Sequence, residues 1–173
     1  QNLCMMVINR DDIESIRGWR NAQTKVLRQN KIITKQEQIQ YFEHYIFNEY
    51  CSSEPSNILF SLFFEGTLLG YGGLVHVSWE NKRAEISFLV SPEVASNKDL
   101  YKDIFTSFLK LTKVIAINYL GLRRIFTETF DFRNAHISIL EDSGFVREGV
   151  MNDHVIIEGR PCASIIHGFI NKN

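Results

Sequence analysis

Cysteine is scarce in this sequence, and the cysteines that are present form no metal-binding or disulfide pattern. There are three, Cys4, Cys51 and Cys162. Their number is odd and no two form a Cys-x-x-Cys pair, so we expect no disulfide framework, no zinc site and no other bound metal. Reduced thiols of this kind indicate a cytoplasmic location.

The sequence also lacks an excess of charge and long apolar runs. Its 19 basic residues nearly balance 20 acidic ones, which leaves a net charge of −1. A chain without a basic excess is not expected to hold nucleic acid. No apolar segment approaches the roughly 20 residues that cross a bilayer, and the apolar run near the N-terminus is too short for a secretory signal. We therefore expect neither a nucleic-acid partner nor a membrane partner.

What the sequence does have is enough apolar material for a full core. Its 173 residues are 45% hydrophobic and 12% aromatic, a composition that is typical of globular proteins. The length is that of one domain with a single core. We therefore predict a single domain over residues 1–173.

Hydrophobic periodicity and turn residues predict elements in the order β-α-α-β-β-β-α-β-α-β-β. The predicted strands cover residues 3–8, 58–64, 68–78, 83–90, 124–130, 145–150 and 163–170. The first predicted helix begins after Asp11 or Asp12, and the other three cover residues 35–48, 99–119 and 134–142. Thr34 and Glu37 have the spacing of a capping box for the second helix, whereas residues 92–98 are predicted as a loop. Gly70, Gly72 and Gly73 indicate a bulge or a close approach of backbones in the third strand.

The order of the elements constrains how the strands pair. The central strand–helix–strand segment requires a right-handed crossover and hence a parallel pair, whereas the hairpins require antiparallel pairs. We therefore predict an α/β fold, with a central mixed α+β sheet of about seven strands and helices on both faces.

Residues 134–145, which read NAHISILEDSGF, follow an apolar strand and carry a family resemblance. An asparagine at a helix start, an apolar helix face and a closing Gly-Phe resemble the cofactor-binding half of acyl-CoA-dependent N-acetyltransferases. Together with the order of elements, this segment makes the whole chain resemble the GNAT superfamily.

Two shorter pieces resemble particular subgroups of that superfamily. Residues 16–21 (IRGWRN) and the run from Arg147 through His154 to Arg160 are similar to two groups of enzymes. One group acetylates the N-termini of ribosomal proteins, and the other acetylates nucleotide-linked amino sugars.

The resemblance implies one enzymatic activity and leaves two alternatives open. It implies transfer of an acetyl group from acetyl-CoA, without a metal, to a primary amine by direct attack. The expected acceptor is a nucleotide-linked amino sugar or another small molecule. The alternatives are a protein N-terminus as acceptor, or a GNAT-shaped binding module without catalysis. A homodimer through the exposed edge of the last strands is also predicted, because uncovered edges invite pairing.

The same resemblance implies where acetyl-CoA binds, and it shows a departure from the family pattern. Family members carry a glycine-rich turn whose backbone N–H groups hold the pyrophosphate, but residues 95–100 (ASNKDL) contain no glycine. Asp99 would cap the helix that follows and would repel a phosphate. The implied cofactor contacts are the splayed strand Phe88, Leu89 and Val90, the turn residues Ser96, Asn97 and Lys98, and Asn134.

Catalytic roles follow from the resemblance as well. Glu85 occupies a place where family members often carry a carboxylate that takes the amine proton through water. The position that is often a tyrosine, the proton donor to the departing thiolate, is Leu140 here. His136 and Ser138 on the same helix are therefore the candidates for that role.

Four further residues are predicted to contact the acceptor: Trp19, Arg20, His76 and His154. Arg20 could pair with an acceptor phosphate. Its alternative is a surface ion pair with Asp12 or Glu14.

Overall fold

A mixed sheet of seven strands forms the centre of the protein, in a computed structural model that describes residues 3–171. The strand order is β1-β2-β3-β4-β5-β7-β6. The strands are β1 (Leu3–Val7), β2 (Ile58–Phe64), β3 (Thr67–Ser78), β4 (Arg83–Val90), β5 (Arg124–Phe130), β6 (Val146–Ile157) and β7 (Arg160–Ile170). The helices are α1 (Ile13–Ala22), α2 (Lys35–Tyr45), α3 (Pro92–Ser96), α4 (Lys98–Val114) and α5 (Asn134–Asp142). The predicted mixed α/β sheet is thereby confirmed.

Strand pairing follows the predicted connections. β4 and β5, which are joined through α4, pair in parallel, and the other neighbouring strands pair antiparallel. A Cβ atom at Gly70 would lie 2.6 Å from the backbone oxygen of Leu89, and a Cβ atom at Gly72 would lie 2.5 Å from that of Ser87. The predicted close approach of backbones is therefore real, because any side chain at these two positions would collide with β4.

Helices cover both faces of the sheet. Side chains alternate along each strand, so that Leu62, Leu74 and Ile86 meet α4 and α5, whereas Leu59 and Leu89 meet α1 and α2. We call these the α4/α5 face and the α1/α2 face. No helix within residues 3–171 is long and apolar enough to cross a membrane.

The N-terminal helices begin and end at other residues than predicted. The side chain of Asn9, not Asp11 or Asp12, caps a 3₁₀ turn that leads into α1. Asp12 is buried; its carboxylate accepts hydrogen bonds from the Ser61 hydroxyl at 2.6 Å and from the Asn9 backbone N–H at 3.0 Å, and the second of these closes a capping box with Asn9. The capping box of Thr34 and Glu37 is confirmed, but α2 ends at Tyr45 and a 3₁₀ turn (Phe47–Cys51) follows.

Three further differences lie around α4 and in the last hairpin. Residues 92–98 were predicted as a loop, but Ser91 caps a short helix, α3, whose first turn contains Pro92, a position that proline favours. The predicted helix 99–119 consists of α4 and a π-helical segment (Ile115–Tyr119). The last two strands extend to the turn at Glu158 and Gly159, and are longer than predicted because the whole segment forms one antiparallel hairpin.

Candidate active site

The two central strands diverge halfway along their length. β4 pairs with β5 only from Arg83 to Glu85, and the ladder then stops although both strands continue. The remainder of β4, residues 86–90, therefore presents backbone N–H and C=O groups to a gap rather than to a neighbouring strand. This confirms the divergence that the resemblance implied.

The gap is open to both faces of the sheet. A small cavity of about 110 Å³ is lined by Arg28, Glu85 and Glu128 from the α1/α2 face and by Arg133 and His136 from the α4/α5 face. We call it the gap cavity. A molecule in the gap can thus reach groups from both layers of helices.

A larger cavity adjoins the gap on the α4/α5 face. It has a volume of about 570 Å³ and shares Phe88, Arg133 and His136 with the gap cavity. We call it the large cavity. The three strand residues predicted to contact the cofactor, Phe88, Leu89 and Val90, all line it, and so do Lys98, Lys102, Asn134 and Ser138.

The start of α4 forms one end of the large cavity. Lys98 and Lys102 line the cavity, together with Asp99. A helix leaves its first backbone N–H groups without partners inside the helix, and these groups attract anions. The helix start can therefore supply donors that the missing glycines would have supplied in the family's turn.

The side chains of the turn before α4 are used locally, which corrects part of the prediction. Asn97, not Asp99, caps α4: its Oδ1 accepts from the Leu100 N–H at 3.1 Å. The Ser96 hydroxyl donates to the Glu93 carbonyl at 2.8 Å. Of the three turn residues predicted to contact the cofactor, only Lys98 lines the large cavity.

A polar cluster at the wall of the large cavity contains a tyrosine that the sequence interpretation missed. The Tyr101 hydroxyl lies 2.6 Å from Nδ1 of His136 and accepts a hydrogen bond of 3.1 Å from Arg133. All three residues line the cavity. Burial raises the pKa of Tyr101, although nearby Arg133 lowers it. Tyr101 therefore keeps its proton at neutral pH and can donate it.

His136 is a buried residue rather than one at the helix surface. Its ring stacks on Phe105 with centroids 4.1 Å apart. Burial, and then the charges of Arg133 and His167, hold the pKa of His136 well below 6.5. The neutral ring can thus accept the Tyr101 proton in a hydrogen bond. Leu140, at the position of the family's tyrosine, is fully buried in the core and lines neither cavity.

The low pKa of His136 predicts how stability depends on pH. The unfolded chain binds a proton near pH 6.5 whereas the folded chain resists it, so the free energy of unfolding should fall as the pH drops below about 6.5. In His136→Gln this fall should be shallower. Urea unfolding at pH 5 and pH 7.5 measures both slopes, and His44→Gln is the control. Identical pH dependence in the parent and His136→Gln would contradict the prediction.

On the α1/α2 face, Glu85 is the centre of a second cluster. Its side chain is only 8% exposed and is paired with Arg28 and with His76, whose Nδ1 lies 2.8 Å from Oε2. His76 has a φ of 50° at an irregularity of the β3–β4 ladder, and such a bulge re-aims a side chain. Glu85 is therefore a buried residue rather than one that points into solvent, and His76 contacts its carboxylate directly.

A second carboxylate, Glu128 of β5, faces Glu85 across the gap. Arg28 joins the two, since its NH1 lies 3.2 Å from Oε2 of Glu128. His154 approaches the other oxygen, Oε1, at 3.3 Å. That geometry does not make a hydrogen bond, and Oε1 has no hydrogen-bond partner within residues 3–171. Nδ1 of His154 instead lies 2.9 Å from the Ser164 hydroxyl.

The other two predicted acceptor residues lie farther along the α1/α2 face. Trp19 packs on the core beneath α1 and α2 and lines neither cavity at the gap. Arg20 makes neither of the predicted surface pairs with Asp12 or Glu14. It donates to Gln29 Oε1 at 3.1 Å and to the Tyr71 hydroxyl at 2.7 Å.

The structure thus gathers most of the predicted residues and adds three. Glu85, His76, His154 and His136 meet at the gap, and Ser138 and Asn134 line the large cavity beside it. The residues that sequence interpretation missed are Arg28, Tyr101 and Glu128. The sequence contains a feature that could have identified two of them. Glu128 is a carboxylate in an apolar strand, and Tyr101 lies one helical turn before the inward-facing Phe105.

Comparison with known proteins gives the same fold. The acetyltransferase (GNAT) domain family matches residues 5–166. No curated protein matches the chain. The spermidine N-acetyltransferase of Vibrio cholerae, solved with CoA and spermine, is 17% identical with a TM-score of 0.83 over 98% of this chain and 95% of that chain. A chimera of that enzyme and hSSAT is 16% identical with a TM-score of 0.82 over 98% and 96%. At these identities the likeness of the structures shows the fold.

Proposed function

Because the chain belongs to the GNAT acetyltransferases, we propose that it moves an acetyl group from acetyl-CoA to the primary amine of a small molecule in the gap between β4 and β5. The observation that carries the proposal is the gap itself. On one side the gap opens into the large cavity, which has hydrogen-bond donors for a CoA-like chain. On the other side it is lined by the carboxylates of Glu85 and Glu128, which can bind an amine.

Acetyl-CoA fits the donors of the large cavity. The start of α4, with Lys98 and Lys102, offers positive charge for the phosphates. The edge of β4 at Phe88 and Val90 has no strand partner and suits an extended amide chain, although the Val90 carbonyl already accepts from Gln23 at 2.7 Å. Acetyl-CoA supplies the acetyl group. Backbone N–H groups of β4 that have no strand partner can donate to the carbonyl oxygen as negative charge develops there.

The acceptor amine would enter from the α1/α2 face. An ammonium group is attracted by Glu85 and Glu128, which share a single guanidinium, that of Arg28. The amine must lose a proton before it attacks, and Glu85 can take that proton directly or through a water. His76, on the other oxygen of Glu85 and largely exposed, can pass it to solvent.

The departing thiolate needs a proton on the opposite side of the gap. Tyr101 is the phenol placed there, and Arg133 beside it favours the phenolate that forms. His136, whose Nδ1 lies 2.6 Å from the Tyr101 hydroxyl, can orient that hydroxyl by accepting its proton in a hydrogen bond. Ser138 lines the same cavity and is the alternative donor.

A titration calorimeter tests the first half of the proposal. Acetyl-CoA should bind, and Lys98→Glu should weaken its affinity by about tenfold, or ~1.4 kcal/mol, because the charge at the pyrophosphate end is reversed. Lys110→Glu, on an exposed position of the same helix, is the control and should leave affinity unchanged. Absence of binding at millimolar acetyl-CoA would leave the alternative of a binding module, which the glycine-less turn favours.

An amine panel tests the second half. Nucleotide-linked amino sugars, peptide N-termini and polyamines are each offered with acetyl-CoA, and release of free thiol is measured. The nucleotide-linked amino sugar remains the acceptor proposed from the sequence, and a protein N-terminus is the second candidate. The homodimer and the cytoplasmic location remain predictions.

A further inference from the structure

A third cavity lies on the α1/α2 face beside the gap. Its volume is about 360 Å³, and its walls come from α1, α2 and strands β2 to β4. Val75 and Ser87 line both this cavity and the gap cavity. We call it the side cavity. A molecule whose amine lies at Glu85 can therefore extend into it.

One buried polar group in the side cavity has no partner. Gln38 of α2 is 2% exposed and lines the cavity, and its Nε2 makes no hydrogen bond within the described chain. An amide donor that is buried without a partner costs stability. In the wall of a cavity, such a donor is placed to bond an oxygen of a molecule that enters the cavity.

The charge in the side cavity is positive. Arg20 binds only neutral oxygens, those of Gln29 and Tyr71, and forms no ion pair within residues 3–171. Glu37, the carboxylate of the cavity, is already held by Lys31 at 2.6 Å and by the backbone N–H of Thr34. The unmatched charge is thus that of Arg20, which lies in the same cavity as the free amide donor of Gln38.

We propose that the side cavity binds an anionic oxygen group of the acceptor, a carboxylate or a phosphate, through Arg20 and Gln38. The inference rests on the proposed function and adds the acceptor's chemical class. Ser87 follows Glu85 by two residues on the same face of β4, which places this wall of the cavity roughly 7 Å along the strand from the residue that receives the amine. The acceptor is accordingly an amine that also carries an acidic group, placed to reach Arg20 and Gln38 when the amine lies at Glu85.

Binding without acetyl-CoA tests this directly. Calorimetry compares matched amines that differ in the acidic group: glucosamine 6-phosphate against glucosamine for phosphate, and 4-aminobutanoate against butylamine for carboxylate. At least one acidic amine should bind about tenfold more tightly than its partner without the acidic group, as expected for hydrogen bonds to a charged group. 1,4-Diaminobutane should gain nothing over butylamine, because its second cation would face Arg20.

Replacing Gln38 identifies the site. Gln38→Met keeps the length of the side chain without its donor, so the advantage of the acidic amine should fall severalfold while affinity for the amine without an acidic group stays the same. Thermal melting should occur no lower than in the parent, since an unpartnered buried donor has been removed. Gln36→Leu, on an exposed position of α2, is the control. Gln38→Leu serves the same purpose if the methionine variant does not fold.

The outcomes separate this inference from the proposed function. Equal binding of both members of both amine pairs, or an undiminished advantage in Gln38→Met, would overturn the inference. Anion-dependent binding with no acetylated product from any amine would uphold the inference and reject the proposed function.

Discussion

Glu85→Gln is expected to lower kcat/KM for the acceptor by about 10²- to 10⁴-fold, the usual contribution of a general base. Glutamine keeps the shape of the side chain and an oxygen for Arg28, but it cannot take a proton from the amine. Glu85 lies at the gap with 8% of its side chain exposed, so bulk water does not easily replace it.

The pH dependence of Glu85→Gln separates a base from a structural residue. The deficit should be largest at low pH, where the acceptor is an ammonium ion, and should shrink as the pH approaches the pKa of the free amine. Acetyl-CoA affinity should not change, because Glu85 does not line the large cavity. Glu80→Gln, at an exposed position, is the control, and equal turnover of Glu85→Gln and the parent at every pH would remove Glu85 from the mechanism.

Tyr101→Phe is expected to reduce kcat by about 10²-fold, at the lower end of the range for a positioned proton donor. The variant removes the hydroxyl that lies 2.6 Å from His136 and leaves the ring that packs on Phe88 and Phe105. Because burial raises the pKa of Tyr101, the parent should retain activity to a higher pH than an enzyme whose proton donor is a tyrosine of ordinary pKa.

Two further measurements identify what Tyr101 does. The KM for acetyl-CoA should change little, since only the hydroxyl is lost. The free energy of unfolding should fall by about 1 kcal/mol, because Nδ1 of His136 loses its hydrogen bond with the Tyr101 hydroxyl and keeps only the longer contact with Arg133, at 3.4 Å. Tyr119→Phe, which is 80% exposed, is the control. If Tyr101→Phe turns over like the parent, Ser138 becomes the remaining candidate for the proton donor.

Local patterns along the chain were sufficient for the strands, the four longer helices and their order, but not for the short helix α3. The strand Ile58–Phe64, the strand Arg83–Val90 and the helix Asn134–Asp142 have the bounds that their periodicity and turn residues predict. The capping box of Thr34 and Glu37 formed as expected because its two hydrogen bonds span only three residues. Helix ends were predicted less well, since Asn9 and Asn97 outcompeted the acidic residues beside them.

The sequence by itself determined the order of the strands and longer helices, because that order depends on patterns among neighbouring residues. The run of residues 134–145 was enough to indicate the family, and the family pattern pointed to Glu85 of β4 as a candidate base. Only the tertiary structure decided the composition of the site. Arg28 lies 57 residues from Glu85, and Tyr101 lies 35 residues from His136. Contacts over such separations depend on how the helices pack on the sheet and on where the β4–β5 ladder stops, and no periodicity in the sequence specifies either.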